Sequence, residues 1–163
     1  MNAQQVGRAG EMFVAAEIHR RGGYAVTFAG NMPGIDILAS DLTDSRRISI
    51  QVKTKRSGTW HARFPRDGAE CPEDSGETSY WVFVDLGGEH PEYFIAPHWW
   101  VRNDIWQVAS AYLSSYEKKH GHPRVGERAS RDPRQPGRAM AGSLRRPWHL
   151  LKRTGSITAV VQP

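Results

Sequence analysis

The chain has 163 residues, of which 39% are hydrophobic and 24% charged, and this composition is typical of one globular domain. Its apolar runs fall far short of the ~20 residues that a membrane helix needs, and its first residues show no signal-peptide pattern. We therefore expect a cytoplasmic protein with no membrane partner. The single cysteine, Cys71, excludes an internal disulfide and a cysteine-rich zinc site.

The net charge of +5 is unevenly distributed along the chain. Residues 1–120 contain 13 Lys or Arg and 15 Asp or Glu, a balance of −2, whereas residues 121–163 contain 9 and 2, a balance of +7. The second segment is also rich in Gly and Pro, which is typical of a linker or a disordered arm. We predict one domain over residues 1–120, followed by a basic tail over 121–163 that is partly disordered or docks on the domain.

The hydrophobic periodicity of residues 1–120 predicts the element order α-β-β-β-β-β-α. A helix over 4–21 has apolar residues at helical spacing and ends at two glycines, and the apolar residues of a second helix run from Val101 to Tyr112. Between them, strands are predicted at 24–28, 35–39, 47–54, 80–86 and 93–96. The fold class is therefore α/β.

Four polar residues occupy positions where burial is expected. Glu11 lies on the apolar face of the first helix, Asp36 inside a strand, and Gln51 and Lys53 on one face of the next strand. Burying such groups costs several kcal/mol, roughly, unless they pair with one another or with an ion. A shared site explains all four, and the carboxylate and amide oxygens of such a site suit Mg²⁺.

These residues resemble the motifs of the PD-(D/E)XK nuclease superfamily. The matching segments are Gly10-Glu11 in a helix, Gly34-Ile35-Asp36-Ile37-Leu38 in a strand and Gln51-Val52-Lys53-Thr54 in the following strand, over about residues 7–55. They are most similar to the Holliday-junction-resolvase-like and group I homing-type endonucleases, where a Q-V-K third motif occurs. The resemblance implies a restriction-endonuclease-like mixed central sheet flanked by helices and Mg²⁺-dependent hydrolysis of phosphodiester bonds in DNA, with Mn²⁺ able to replace Mg²⁺.

The resemblance also implies a role for each residue. Asp36 is the expected bridging metal ligand, Gln51 stands at the position of the second acidic ligand, and the Val52 carbonyl lies beside it on the metal. Lys53 is the expected water-positioning lysine, and Glu11 the helix carboxylate that some branches add. Gln51 departs from the usual acid and brings no charge, so a weaker hold on the metal is expected.

Basic residues surround the third motif, and next to a phosphate-cleaving centre they are candidates for DNA contacts. The four predicted contacts are Arg47, Lys55, Arg56 and Arg63. Two other functions stay open: a catalytically inactive nucleic-acid-binding module on the same fold, and a small interaction protein that uses its basic tail. A homodimer and a protein partner for the tail also stay open.

Overall fold

The computed structural model describes residues 2–28, 32–58, 60 and 78–122. Within them the order of elements is α-β-β-β-β-β-α, which confirms the predicted order and the α/β class. The elements are α1 (Ala3–Arg20), β1 (Tyr24–Thr27), β2 (Ile37–Ser40), β3 (Arg47–Lys55), β4 (Ser79–Asp85), β5 (Glu92–Pro97) and α2 (His98–His120). Except for Gly121 and His122, the predicted tail lies outside the described residues.

The five strands form one mixed sheet in the order β1-β2-β3-β4-β5. Neighbouring strands are antiparallel except for β3 and β4, which are parallel and pair over seven residues from Ser49↔Ser79 to Lys55↔Asp85. The predicted mixed central sheet is therefore confirmed. The third sequence motif, Gln51 to Thr54, pairs with β4 on one side only, because the pairing of β2 with β3 ends at Ile37↔Ile50.

The alternation of side chains along the strands separates two cores, one on each face of the sheet. On one face, Ile50 and Val52 of β3 join Val14 and Ile18 of α1. On the other face, residues of β4 pack with the start of α2, as in the cluster that contains Phe83 and Val101. The strand β4 is buried on both faces from Trp81 to Val84, as its continuous apolar sequence predicts.

The second helix covers only part of its face, because it contacts β4 and β5 but makes no comparable contact with the other described strands. On β1 and β2 the side chains of Tyr24, Val26 and Leu38 are exposed, although they are large and apolar. Val26 pairs with Leu38 and Tyr24 with Ser40, so these side chains share one face. The face of β1 and β2 that is turned away from α1 is therefore exposed to solvent.

Most element boundaries differ from the predicted ones by one or two residues, as for α1, which was predicted over 4–21 and is observed at Ala3–Arg20. The helix α2 begins directly after Pro97, several residues before its first buried apolar side chain, because proline is well suited to a helix start but cannot donate within it. Asp36 precedes β2, which begins at Ile37, so the prediction that Asp36 lies inside a strand is wrong. The Asp36 side chain accepts a hydrogen bond from the Val52 N–H of β3, a donor that a longer β2 strand would have paired with a backbone carbonyl.

Candidate metal and nucleic-acid site

Gln51 and Lys53 lie side by side on the face of β3 that is turned away from α1. Both are half-buried, whereas Val52 between them is buried on the opposite face, as the period of two predicts. In the parallel pairing, Gln51 lies next to Trp81 of β4, and the Lys53 ammonium sits 5.4 Å from the centre of the Trp81 ring. That distance allows a cation–π attraction, which restrains the lysine over the sheet.

Asp36 is fixed directly on β3. Its backbone N–H donates to the Ile50 carbonyl at 2.9 Å, and its Oδ2 accepts a hydrogen bond from the Val52 N–H at 2.7 Å. Extending the β2–β3 register by one residue from the pair Ile37↔Ile50 places Asp36 across from Gln51. The carboxylate is therefore oriented by the β3 backbone, and among the described residues only one of its two oxygens accepts a hydrogen bond.

Glu11 reaches the same region because α1 lies unusually close to β3. A Cβ added to Gly10 would lie 1.9 Å from Thr54 Oγ1, so only a glycine permits this approach. The side chain of Glu11, the next residue, is only 16% exposed. Burial raises the pKa of Glu11, against the lowering effect of Arg8; the Asp36 carboxylate also raises this pKa, and Lys53 acts with Arg8 to lower it.

Arg8 belongs to this site, although its role was not predicted from the sequence. Its Nη1 donates to Glu11 Oε2 at 2.5 Å and to the Phe28 carbonyl at 3.0 Å. Phe28 in turn donates its N–H to the Asp36 carbonyl at 3.4 Å. A continuous path of hydrogen bonds thus connects the Glu11 carboxylate with Asp36. The i, i+3 spacing of Arg8 and Glu11 on a helix was the available sequence signal.

The Asp36 carboxylate and the Lys53 ammonium are therefore close enough to Glu11 to influence it electrostatically, and Gln51 lies across from Asp36 in the register. Two carboxylates, an amide oxygen and the Val52 carbonyl are hard oxygen donors of the kind that Mg²⁺ takes, and Mg²⁺ needs only one or two carboxylates. The donor set fits that ion chemically. In the described part of the chain, no three His, Cys, Asp or Glu residues form a metal-binding group, so an ion here would depend on neutral oxygens and water.

The four predicted DNA contacts have different surroundings. Arg47 is exposed and paired with Asp44 in the turn before β3. Lys55 is held inside the fold, since its Nζ lies 2.8 Å from Asp85 Oδ2 and 4.2 Å from the centre of the Trp60 ring. Arg56 is exposed and lines an open groove of about 560 Å³ between the start of α1 and the end of β3, together with Ala3, Val6, Thr54 and Ser57. Arg63 lies outside the described residues.

Neither a protein-family model nor a curated protein matches this chain. Among solved structures, a bacterial homing endonuclease, I-Ssp6803I, aligns with 98% of this chain and 99% of its own, with a TM-score of 0.42 and 14% sequence identity. A similarity at this level assigns no residue role, so the roles proposed below depend on the contacts described above. In the described ranges, neither helix is long and apolar enough to cross a membrane.

Proposed function

We propose that this chain is a metal-dependent DNA endonuclease that hydrolyses phosphodiester bonds at the site formed by Glu11, Asp36, Gln51 and Lys53. The observation that carries the proposal is the anchoring of the Asp36 carboxylate on the Val52 N–H, beside the face that holds Gln51 and Lys53. Half-buried carboxylates are stabilised by cationic or hydrogen-bonding partners, and a divalent ion would add such a partner for Asp36 and Glu11.

In this proposal Asp36, the Gln51 side-chain oxygen and the Val52 carbonyl hold the ion, and Glu11 adds a second negative charge. Bound Mg²⁺ would polarise the phosphate and lower the pKa of a coordinated water. The chain's own contribution is orientation: Lys53, restrained by Trp81, positions the attacking water and offsets charge that develops on the phosphate.

Exposed arginines near the site supply the proposed DNA contacts. Arg47 lies at the start of β3, and Arg56 follows its end. Both side chains are exposed, and the Arg47 guanidinium, which pairs with the exposed Asp44, would exchange that partner for a phosphate. Lys55 would have to leave Asp85 to reach a phosphate, so we do not include it among these contacts.

Cleavage of supercoiled plasmid tests the proposal. We expect nicking or linearisation with Mg²⁺ or Mn²⁺ and none with EDTA, and we expect Asp36→Ala and Lys53→Ala each to abolish it while DNA binding is largely retained. Glu89→Ala is the matched control, because it removes an exposed carboxylate from the turn between β4 and β5, away from the proposed DNA contacts. An intact plasmid under every metal condition, or full activity of Asp36→Ala, would refute the proposal.

A second candidate function is DNA binding without cleavage, which the neutral Gln51 at an acidic position favours. Binding measured as a function of salt separates this candidate from a purely protein-binding role. The logarithm of DNA affinity falls with the logarithm of salt concentration by about 0.9 per phosphate contact. A binder without cleavage would show this slope and leave the plasmid intact, whereas a protein-binding module would also leave the plasmid intact but would show no such slope.

A further inference from the structure

The Arg8 guanidinium is the counter-ion of the Glu11 carboxylate. Its Nη1 is 2.5 Å from Glu11 Oε2, and the same nitrogen donates to the Phe28 carbonyl at 3.0 Å. The second bond fixes the guanidinium between α1 and the end of β1, so Arg8 is held on Glu11 by a contact outside its own helix. A solvent-facing i, i+3 pair would lack this anchor.

The charges of the site balance in the absence of a metal ion. The two carboxylates of Glu11 and Asp36 repel each other, and Arg8 and Lys53 supply two opposing positive charges. A divalent cation that binds both carboxylates would therefore enter a site in which one of them already has a cationic partner. Arg8 and the ion would compete for the Glu11 carboxylate, because both are attracted by its single negative charge and Arg8 already occupies Oε2 at 2.5 Å.

We propose that Arg8 is an internal counter-ion that holds Glu11 in the metal-free site and that metal binding displaces it from Glu11. This inference depends on the proposed function, since it requires a divalent ion at Glu11 and Asp36. Arg8 thereby acts as a positioning residue. It holds the Glu11 side chain in place until the ion arrives, and it raises the metal concentration at which the site is half-occupied.

The same helix offers a matched control in a second arginine–glutamate pair. Arg20 donates two hydrogen bonds to Glu17 at 2.8 Å, also at i, i+3 spacing. Arg20 lies three turns further along α1, and its side chain is exposed. Arg20→Gln therefore removes the same charge from the same kind of pair without changing the candidate site.

The test is Mn²⁺ binding to the full chain, measured by electron paramagnetic resonance at constant pH and ionic strength. We expect Arg8→Gln to bind Mn²⁺ more tightly than the wild type by roughly threefold to fivefold, which corresponds to the free energy of a partly exposed ion pair. Arg20→Gln should match the wild type, and Arg8→Lys should restore most of the competition. In the Glu11→Gln background, which should bind more weakly, Arg8→Gln should give no further gain.

Several results would overturn this inference. Equal affinities of Arg8→Gln and Arg20→Gln, a weaker affinity in Arg8→Gln, or a gain that persists without the Glu11 carboxylate would each show that Arg8 does not compete with the ion. If Glu11→Gln and Asp36→Asn weaken Mn²⁺ binding while Arg8→Gln has no effect, the role of Arg8 fails and the metal site stands. If the wild type binds no Mn²⁺, the proposed function fails as well. Circular dichroism of each variant verifies that it is folded.

Discussion

Replacing Gly10 by alanine tests whether the close contact of α1 with β3 builds the site. The added Cβ would lie 1.9 Å from Thr54 Oγ1 and 2.8 Å from both Thr54 Cβ and Thr54 Cγ2. Rotating the threonine does not relieve the clash, because its Cβ is attached to the backbone. Ordinary contact begins at 3.4 Å, so even with the hydroxyl rotated away the helix and strand must separate by about 0.6 Å (3.4 − 2.8) at the Thr54 Cβ.

Two opposing effects set the change in the free energy of unfolding that Gly10→Ala causes. Alanine is favoured over glycine within a helix by about 1 kcal/mol, whereas overpacking a tight contact costs about 1–3 kcal/mol and sometimes more. A shift of this size also loosens the packing of Val14 and Ile18. We expect Gly10→Ala to lower the free energy of unfolding by about 2 kcal/mol in balance.

Gly7→Ala is the matched control, because Gly7 lies in the same helix and an added Cβ there meets nothing within 4 Å. This variant should be more stable than the wild type by about 0.5–1 kcal/mol. Urea unfolding followed by circular dichroism measures both changes. Equal stabilities of the two variants would refute the close contact, and unchanged Mn²⁺ affinity in a folded Gly10→Ala would refute its role in placing Glu11.

Three further predictions concern stability. Glu11→Gln should stabilise the metal-free protein at pH 7, because burial raises the pKa of Glu11 and so favours its neutral form in the folded state. That contribution to stability is fully present below pH 4.5 and is lost as the pH rises through the folded pKa, so the stability gained by the variant should vanish in acid. Glu17→Gln should destabilise the protein at pH 7, because hydrogen bonds from Arg20 and Arg21 lower the pKa of Glu17 to about 2. The stability that ionised Glu17 contributes is present above pH 4.5 and disappears towards pH 2, so thermal melts of the variant and the wild type should converge in acid. Thr54→Val should raise the unfolding free energy by about 1 kcal/mol in urea titrations, because the buried Thr54 hydroxyl has no hydrogen-bond partner in the described part of the chain; a loss of stability would show that this hydroxyl is satisfied.

The order of the secondary elements could be predicted from the sequence because it depends on local patterns. The alternation from Ile48 to Lys53 predicted β3, and the continuous apolar run from Trp81 to Val84 predicted a strand buried on both faces. The apolar spacing from Val101 onwards indicated α2 but not its start at His98, because the residues of the first turn are only partly buried.

The contacts that assemble the site could be predicted only in part. Period two placed Gln51 and Lys53 on one face, but the bond from the Val52 N–H to the Asp36 carboxylate joins residues 16 positions apart and has no sequence signature. The contact between Gly10 and Thr54 likewise depends on how two elements pack, and so does the ion pair that holds Lys55. The catalytic and DNA-binding roles of the site residues stay predictions.

The central claim is that Asp36 and Gln51 share one metal ion on β3. Plasmid cleavage by Gln51→Glu as a function of Mg²⁺ concentration tests it most directly, with Gln107→Glu on the exposed side of α2 as the charge-matched control. A carboxylate in place of the amide should lower the Mg²⁺ concentration for half-maximal cleavage by about tenfold, because ligand charge sets the affinity for hard cations. An unchanged Mg²⁺ requirement in Gln51→Glu would contradict the claim.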